Sequence, residues 1–201
     1  FVTIDGVFIY DGKSFTHFPM NEAPNGFLTS NDRVERILKD NKGNIIECSQ
    51  FKNGALKSKE FAVYDENNKE IEFKRYNDEG IIAERTISKY DLKGRLIEYE
   101  GFHDWGYKSK YLYKYSNGLK TQMLYFNRDT LERKFSYKYN ETGKIKEEVE
   151  EDFKDGSKYI SRYNSAGNFT ERVSIDSYGA KEILETKKYD SNNRIIYEEW
   201  S

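Results

Sequence analysis

One cysteine, two histidines, two prolines and two tryptophans are all that this 201-residue chain holds of those types. Cys48 alone excludes an intramolecular disulfide and a cysteine-based metal cluster, and it reads as a small buried hydrophobe rather than a nucleophile. His17 and His103 stand in neither a nucleophile-elbow nor a thiol-protease context, and no HExxH-type spacing surrounds them. The sequence therefore predicts no catalytic residue, no metal and no cofactor. No apolar run approaches the roughly 18 residues needed to span a membrane as a helix, so membrane insertion is not expected. Charge of one sign is not in excess either: the net formal charge is -2 and the pI about 5.9, with no basic stretch. This disfavours binding to nucleic acid, which is driven by phosphate neutralisation. With 36% hydrophobic residues, 34% charged and a mean hydropathy of -0.94, there is little material for a deep interior. The chain begins at Phe1 instead of Met, for which a removed export signal or a trimmed sequence accounts.

Aromatic residues are abundant: 17 Tyr and 13 Phe. Tyr buries its ring and keeps its hydroxyl wet, which suits a pleated, half-buried surface. The phrase KYDLKGRLIEY at residues 89 to 99 returns as VYDENNKEIEF, KYNETGKIKEE, RYNSAGNFTER and KYDSNNRIIYE. Aligned on the opening aromatic, copies recur about every twelve to thirteen residues. Every second copy, headed by Tyr64, Tyr90, Tyr139, Tyr163 or Tyr189, is the fuller one, so the repeating unit is a pair of about 25 residues. In each phrase the Asp or Asn can accept from backbone two residues on, and Gly94 can take the positive φ of a type I turn with a bulge. Asn68 and Asn193 stand in for that glycine, since Asn tolerates the left-handed region best after Gly.

Between the turns, apolar and charged residues alternate. Tyr107, Ser109, Tyr111, Tyr113 and Tyr115 oppose Lys108, Lys110, Leu112 and Lys114. Leu131, Phe135, Tyr137 and Tyr139 oppose Glu132, Lys134, Ser136 and Lys138, and Ile145, Val149 and Phe153 oppose Lys146, Glu148, Glu150 and Asp152. Period two predicts strands with one apolar and one charged face. Strand and four-residue turn in alternation give an all-β fold: an antiparallel β-hairpin repeat meander of ten or more strands, forming one long twisted, curved or spiralling sheet. Residues 1–30 depart from the pattern, with turn signals at Asp5-Gly6 and Asp11-Gly12 and both prolines, Pro19 and Pro24. They read as an irregular hairpin and connector, a cap or junction preceding a repeat array at 31–201.

The phrase at Tyr90, Asp91, Gly94, Arg95 and Leu96 resembles the YD repeats of bacterial Rhs and teneurin-like proteins. Tyr139, Asn140, Gly143, Lys144 and Ile145 follow it more loosely, as do Tyr163, Asn164 and Gly167. The resemblance implies a strand-by-strand repeat spiral that encloses or displays another segment. The double-hairpin period is also similar to MORN-type repeats of the variant linked to bacterial immunity proteins, although their Gly-rich strand positions are missing.

The carboxylates Glu147, Glu148, Glu150, Glu151 and Asp152 read as a solvated face neutralised across strands. The most unusual stretch is FHDWGYKSKYLYKY at 102–115, which places His103, Asp104 and Trp105 where other units have small polar turn residues, followed by Tyr107, Tyr111 and Tyr113. A Trp at a turn tip either packs back over the sheet or binds, and Trp and Tyr dominate interface hot spots. These six residues are the candidate binding surface. The expected function is a non-enzymatic repeat scaffold that binds a protein or glycan partner outside the cytoplasm. The alternative is a cytoplasmic immunity protein that neutralises a toxin by occlusion.

Overall fold

The computed structural model describes residues 2–3, 6–10, 15–19, 33–52 and 55–200. All their regular structure is strand. A three-stranded antiparallel sheet contains β1 (Val2–Thr3), β2 (Gly6–Tyr10) and β3 (Phe15–Pro19). Asp5, Asp11, Gly12 and the connector at 20–30 lie outside the described residues. A fourteen-stranded sheet follows in strict chain order. Its strands are β4 (Arg33–Lys39), β5 (Ile45–Lys52), β6 (Ala55–Tyr64), β7 (Glu70–Tyr76), β8 (Ile82–Tyr90), β9 (Leu96–His103), β10 (Lys108–Ser116), β11 (Leu119–Asn127), β12 (Thr130–Tyr139), β13 (Ile145–Asp152), β14 (Lys158–Tyr163), β15 (Phe169–Ile175), β16 (Lys181–Tyr189) and β17 (Ile195–Trp200). The order is linear, with β4 and β17 at its ends, so the sheet is not closed into a barrel. Contacts group the chain into two units, residues 1–108 and 109–201.

The hairpin turns follow from three side-chain requirements. At Asp91–Arg95 the Gly94 amide donates to the Asp91 carbonyl (2.8 Å) and the Asp91 amide to the Arg95 carbonyl (2.9 Å), with Gly94 at φ +72°. Asp91 Oδ1 accepts from the amides of Lys93 and Arg95, and the register shifts at Tyr90. This is the type I turn with a bulge that the sequence predicts. Asn68 and Asn193 hold the same position at φ 66° and 60°. Among the described residues three turns differ from the expected four-residue form. One is longer by a residue, with the Asp152 amide donating to the Ser157 carbonyl (2.9 Å) and the Gly156 amide to the Asp152 carbonyl (3.0 Å). Ser116–Leu119 and Asn127–Thr130 are two-residue loops with positive φ at both central residues, Asn117 and Gly118 in one and Arg128 and Asp129 in the other. That backbone matches the twist of a tight hairpin.

The 25-residue period has a physical origin in these turns. Alternate turns share one edge of the sheet, and several successive ones are hydrogen-bonded to each other. In the first unit Asn44 Nδ2 donates to Asn68 Oδ1 (2.7 Å) and Lys42 Nζ to the Glu66 carbonyl (2.8 Å). In the second, Asn140 Nδ2 donates to the Ser165 carbonyl (3.1 Å) and Asn168 Nδ2 to Asn193 Oδ1 (3.0 Å). The Tyr that heads the phrase reaches across as well. The hydroxyls of Tyr64, Tyr90 and Tyr139 donate to the carbonyls of Ile45 (3.2 Å), Glu70 (3.1 Å) and Lys120 (2.6 Å), each at the start of a strand that leaves the preceding turn on that edge. Phe could not make this bond.

The turn carboxylates make stability depend on acidity. The Arg95 side-chain hydrogen bond on Asp91, the Asn44 amide on Asp40 and the Arg194 backbone amide on Asp190 hold these carboxyls below their ordinary range. A folded pKa below the unfolded one contributes stability that is complete above the unfolded value of about 4 and is lost as pH falls through the folded value. Asn140 Oδ1 accepts the same two backbone amides in its own turn. Replacing Asp91 by Asn keeps an acceptor for the two backbone amides but loses the Arg95 pair, so it is expected to lower the pH 7 urea midpoint slightly and to make the acid limb of a stability profile shallower. Parallel wild-type and variant profiles below pH 4 would refute this.

Side chains do not sort into one apolar and one charged face. Phe135 and Tyr137 of β12 stand in register with Glu150 and Glu148 of β13, so the aromatic set of one strand shares a face with the carboxylates of the next. Among the described residues Val173 is the sole buried apolar side chain, at 8% exposure. Without a second layer to bury a hydrophobic face, each face is amphipathic. In the second unit a row of Val149, Ile160, Val173 and Ile183 crosses four strands. It is flanked by Lys138, Glu147, Arg162 and Glu171 on one side and by Lys134, Glu151 and Lys158 on the other. The contacts are Lys138–Glu147 at 2.8 Å, Lys134–Glu151 at 2.6 Å and Lys158–Glu151 at 3.5 Å, with Arg162 touching both Glu147 and Glu171. Cys48, expected to be buried, is half-buried on β5 in register with Ile37 and Glu60.

Candidate binding edge

The stretch that stands out in the sequence forms the turn between β9 and β10. His103 takes the place that Asp or Asn holds elsewhere: its amide donates to the Tyr107 carbonyl (3.0 Å), and its carbonyl accepts from the Gly106 amide (3.0 Å). Gly106, at φ +79°, supplies the left-handed residue. Trp105 thus occupies the third turn position, the one held by Lys93 in the Asp91 turn. The Asp104 amide donates to the Ala83 carbonyl (3.2 Å), which fastens the turn to β8.

Imidazole cannot cap the turn amides as a carboxylate does, and His103 instead supports the indole. The two rings stack with centroids 4.5 Å apart and planes 8° from parallel, and Tyr107 lies 5.8 Å from His103 on a tilt of 42°. Glu84, the register partner of His103, is engaged by Arg75 at 2.8 Å. His103 Nδ1 is buried without a hydrogen-bond partner. Trp105 remains 71% exposed, so it does not plug the sheet. One face of the indole rests on His103 and the other is open. Ile81 and Ile82, at the neighbouring turn on that edge, are 52% and 40% exposed. Trp105, Ile81 and Ile82 thus leave apolar surface exposed at two neighbouring turns.

Tyr111 and Tyr113, grouped with Trp105 in the sequence, belong to the second unit, while His103, Asp104, Trp105 and Tyr107 belong to the first. Both Tyr side chains are half-buried. Their rings lie 6.4 Å apart and nearly parallel, and Tyr111 meets its cross-strand partner Tyr125 at 5.1 Å. Lys120 Nζ lies over the rings of Tyr113 (5.9 Å) and Tyr137 (4.6 Å). Burial first, and then Glu148, push the Tyr137 hydroxyl up to about 12.

The acidic stretch divides between the faces. Glu147 and Glu151 are bound into the ion-pair rows. Glu150 meets Arg133 (3.5 Å) and Arg172 (3.8 Å), and Asp152 meets Arg133 (3.3 Å). Glu148 lines a polar concavity of about 380 Å³ in the second unit, together with Glu150, Tyr159, Tyr163, Arg172 and Lys187 among others. Sequence reasoning did not single out Tyr178, which is 96% exposed at the third position of the Asp176 turn, the same position as Trp105. Alignment on turn positions rather than on opening aromatics brings the two together. No group of three His, Cys, Asp or Glu side chains among the described residues could hold a metal ion. Nor, among these residues, is any helix long and apolar enough to cross a membrane.

No protein-family model matches the chain, and no curated protein matches it. A search of solved structures finds similarity to the crystal structure of TcdB2-TccC3-TEV, at 11% identity and a TM-score of 0.41. The match covers 85% of this chain and 15% of that one.

Proposed function

We propose that this chain is a non-enzymatic hairpin-repeat scaffold that binds a protein partner along the edge carrying Trp105. The observation that carries the reading is an indole left open on one face while its other face is fixed on His103. An aromatic ring held rigid before binding loses little conformational entropy when a partner covers it, which is the property of interface hot spots. An indole this exposed, with Ile81 and Ile82 exposed at the neighbouring turn, suits an apolar groove on another protein. The YD-repeat reading is part of this proposal, supported by the work of Tyr90, Asp91 and Gly94 in one turn. A location outside the cytoplasm is part of the same proposal. The reading as a scaffold rather than a catalyst rests on Glu147, Glu150, Glu151 and Asp152, each engaged by a lysine or arginine.

The test is capture of a partner on the immobilised chain, followed by affinity measurement with the captured protein. Trp105→Ala is expected to weaken binding by more than about 2 kcal/mol, roughly thirtyfold, and to leave the urea midpoint within about 0.5 kcal/mol. Equal affinity for wild type and variant would refute the assignment of this edge.

A further inference from the structure

We infer that the second unit carries a separate binding site for a neutral, hydroxyl-rich glycan, in the concavity lined by Glu148, Glu150, Tyr159, Tyr163, Arg172 and Lys187. Four strands build it in register. Glu148 of β13, Ser161 of β14, Arg172 of β15 and Glu185 of β16 form one cross-strand row, and Glu150 and Tyr159 are partners beside it. Tyr163 and Phe169 close one end edge to face, at 6.0 Å and 81°.

The polar groups are arranged for a ligand that both donates and accepts. The Arg172 guanidinium lies 5.0 Å over the Tyr159 ring, its closest ion-pair contact is Glu150 at 3.8 Å, and its Nε is buried without a hydrogen-bond partner. It has donor capacity left over. Burial, against the pull of Lys120, raises the Glu148 pKa. That carboxyl stands beside the Tyr163 hydroxyl, and Lys120 and Arg172 pull against the effect of its burial. Lys187 is held by Glu185 (2.9 Å) and Glu198 (3.2 Å) and lies 5.8 Å from the Phe169 ring.

Charge then selects the ligand class. An anion entering here meets Glu148, Glu150 and Glu185, whereas a cation meets Arg172 and Lys187. A neutral polyol avoids both penalties, because each hydroxyl can donate to a carboxylate and accept from the guanidinium. The hydrocarbon face of a sugar ring packs against aromatic rings such as Tyr159 and Tyr163. An extended peptide is disfavoured, since β13, β14, β15 and β16 are paired on both sides and offer no strand edge to extend. The volume of about 380 Å³ is at the small end for ligand pockets and has room for about one or two sugar rings. The site lies wholly in the second unit and Trp105 in the first, so each proposal stands or falls by itself.

Saturation-transfer NMR and calorimetry with maltotriose, cellotriose and N-acetylchitotriose as neutral probes, trigalacturonate as the anion and glucosamine trimer as the cation test it. At least one neutral probe is expected to bind with a dissociation constant below about 5 mM, and Arg172→Gln to weaken it by about tenfold or more. Tyr163→Phe, which removes one hydroxyl and keeps the ring, is expected to weaken it about threefold with an unchanged urea midpoint. Failure of every neutral probe to bind would overturn the inference. So would tighter binding of either charged probe, or unchanged affinity in both variants.

Discussion

Val173→Asp is expected to destabilise the second unit by about 3 kcal/mol, the cost of placing a carboxylate in a buried apolar position. Val173 is the only buried apolar side chain among the described residues and has Ile160 and Ile183 as its register partners. Val173→Ala serves as the comparator and should cost about 1–2 kcal/mol, because the row it belongs to is one side chain deep and can relax toward solvent. A deep-core account would instead give the alanine variant the larger losses typical of packed interiors. Urea unfolding followed by circular dichroism separates the two. A loss below about 1 kcal/mol for the aspartate variant would mean that the row contributes nothing to the unit.

Gly94→Val should cost about 1–3 kcal/mol, since a β-branched side chain would be forced to φ +72°. Space is not the obstacle: a Cβ at Gly94 would meet Lys69 Cε at 3.5 Å, an ordinary contact. The penalty is therefore conformational. Lys93→Val, one residue earlier and without positive φ, should change stability little. Equal costs at the two positions would show that the left-handed residue is not what closes the turn.

These two variants mark what was legible in the sequence. The turn phrase could be read because its chemistry is local. Asp91 caps amides two and four residues on, Gly94 or Asn68 supplies the left-handed residue, and period two does the rest. The tight loop at Asn117-Gly118 carries the Asn-Gly signal of a two-residue hairpin, whereas Arg128-Asp129 carries none. What required coordinates was register. Strand alternation says that Tyr137 and Glu148 each point to some face of their own strand, but only the pairing puts them on the same one. The hydroxyl bonds of Tyr64, Tyr90 and Tyr139 depend on the same information, because their acceptors lie about twenty residues away on the neighbouring strand. At the candidate edge, the sequence picked out Trp105 by its position in a turn. It could not show that His103 would hold the indole in place.

Trp105 and Trp200 are the only tryptophans, so a Trp200→Phe variant isolates the indole on which the account rests. That account holds that the chain presents Trp105 at the surface of a hairpin meander and does not fold it back over the sheet. The measurement is steady-state fluorescence of this variant with acrylamide titration. Emission close to that of indole in water and efficient quenching, as befits a side chain 71% exposed, is the predicted result. A blue-shifted, quencher-protected Trp105 would contradict it.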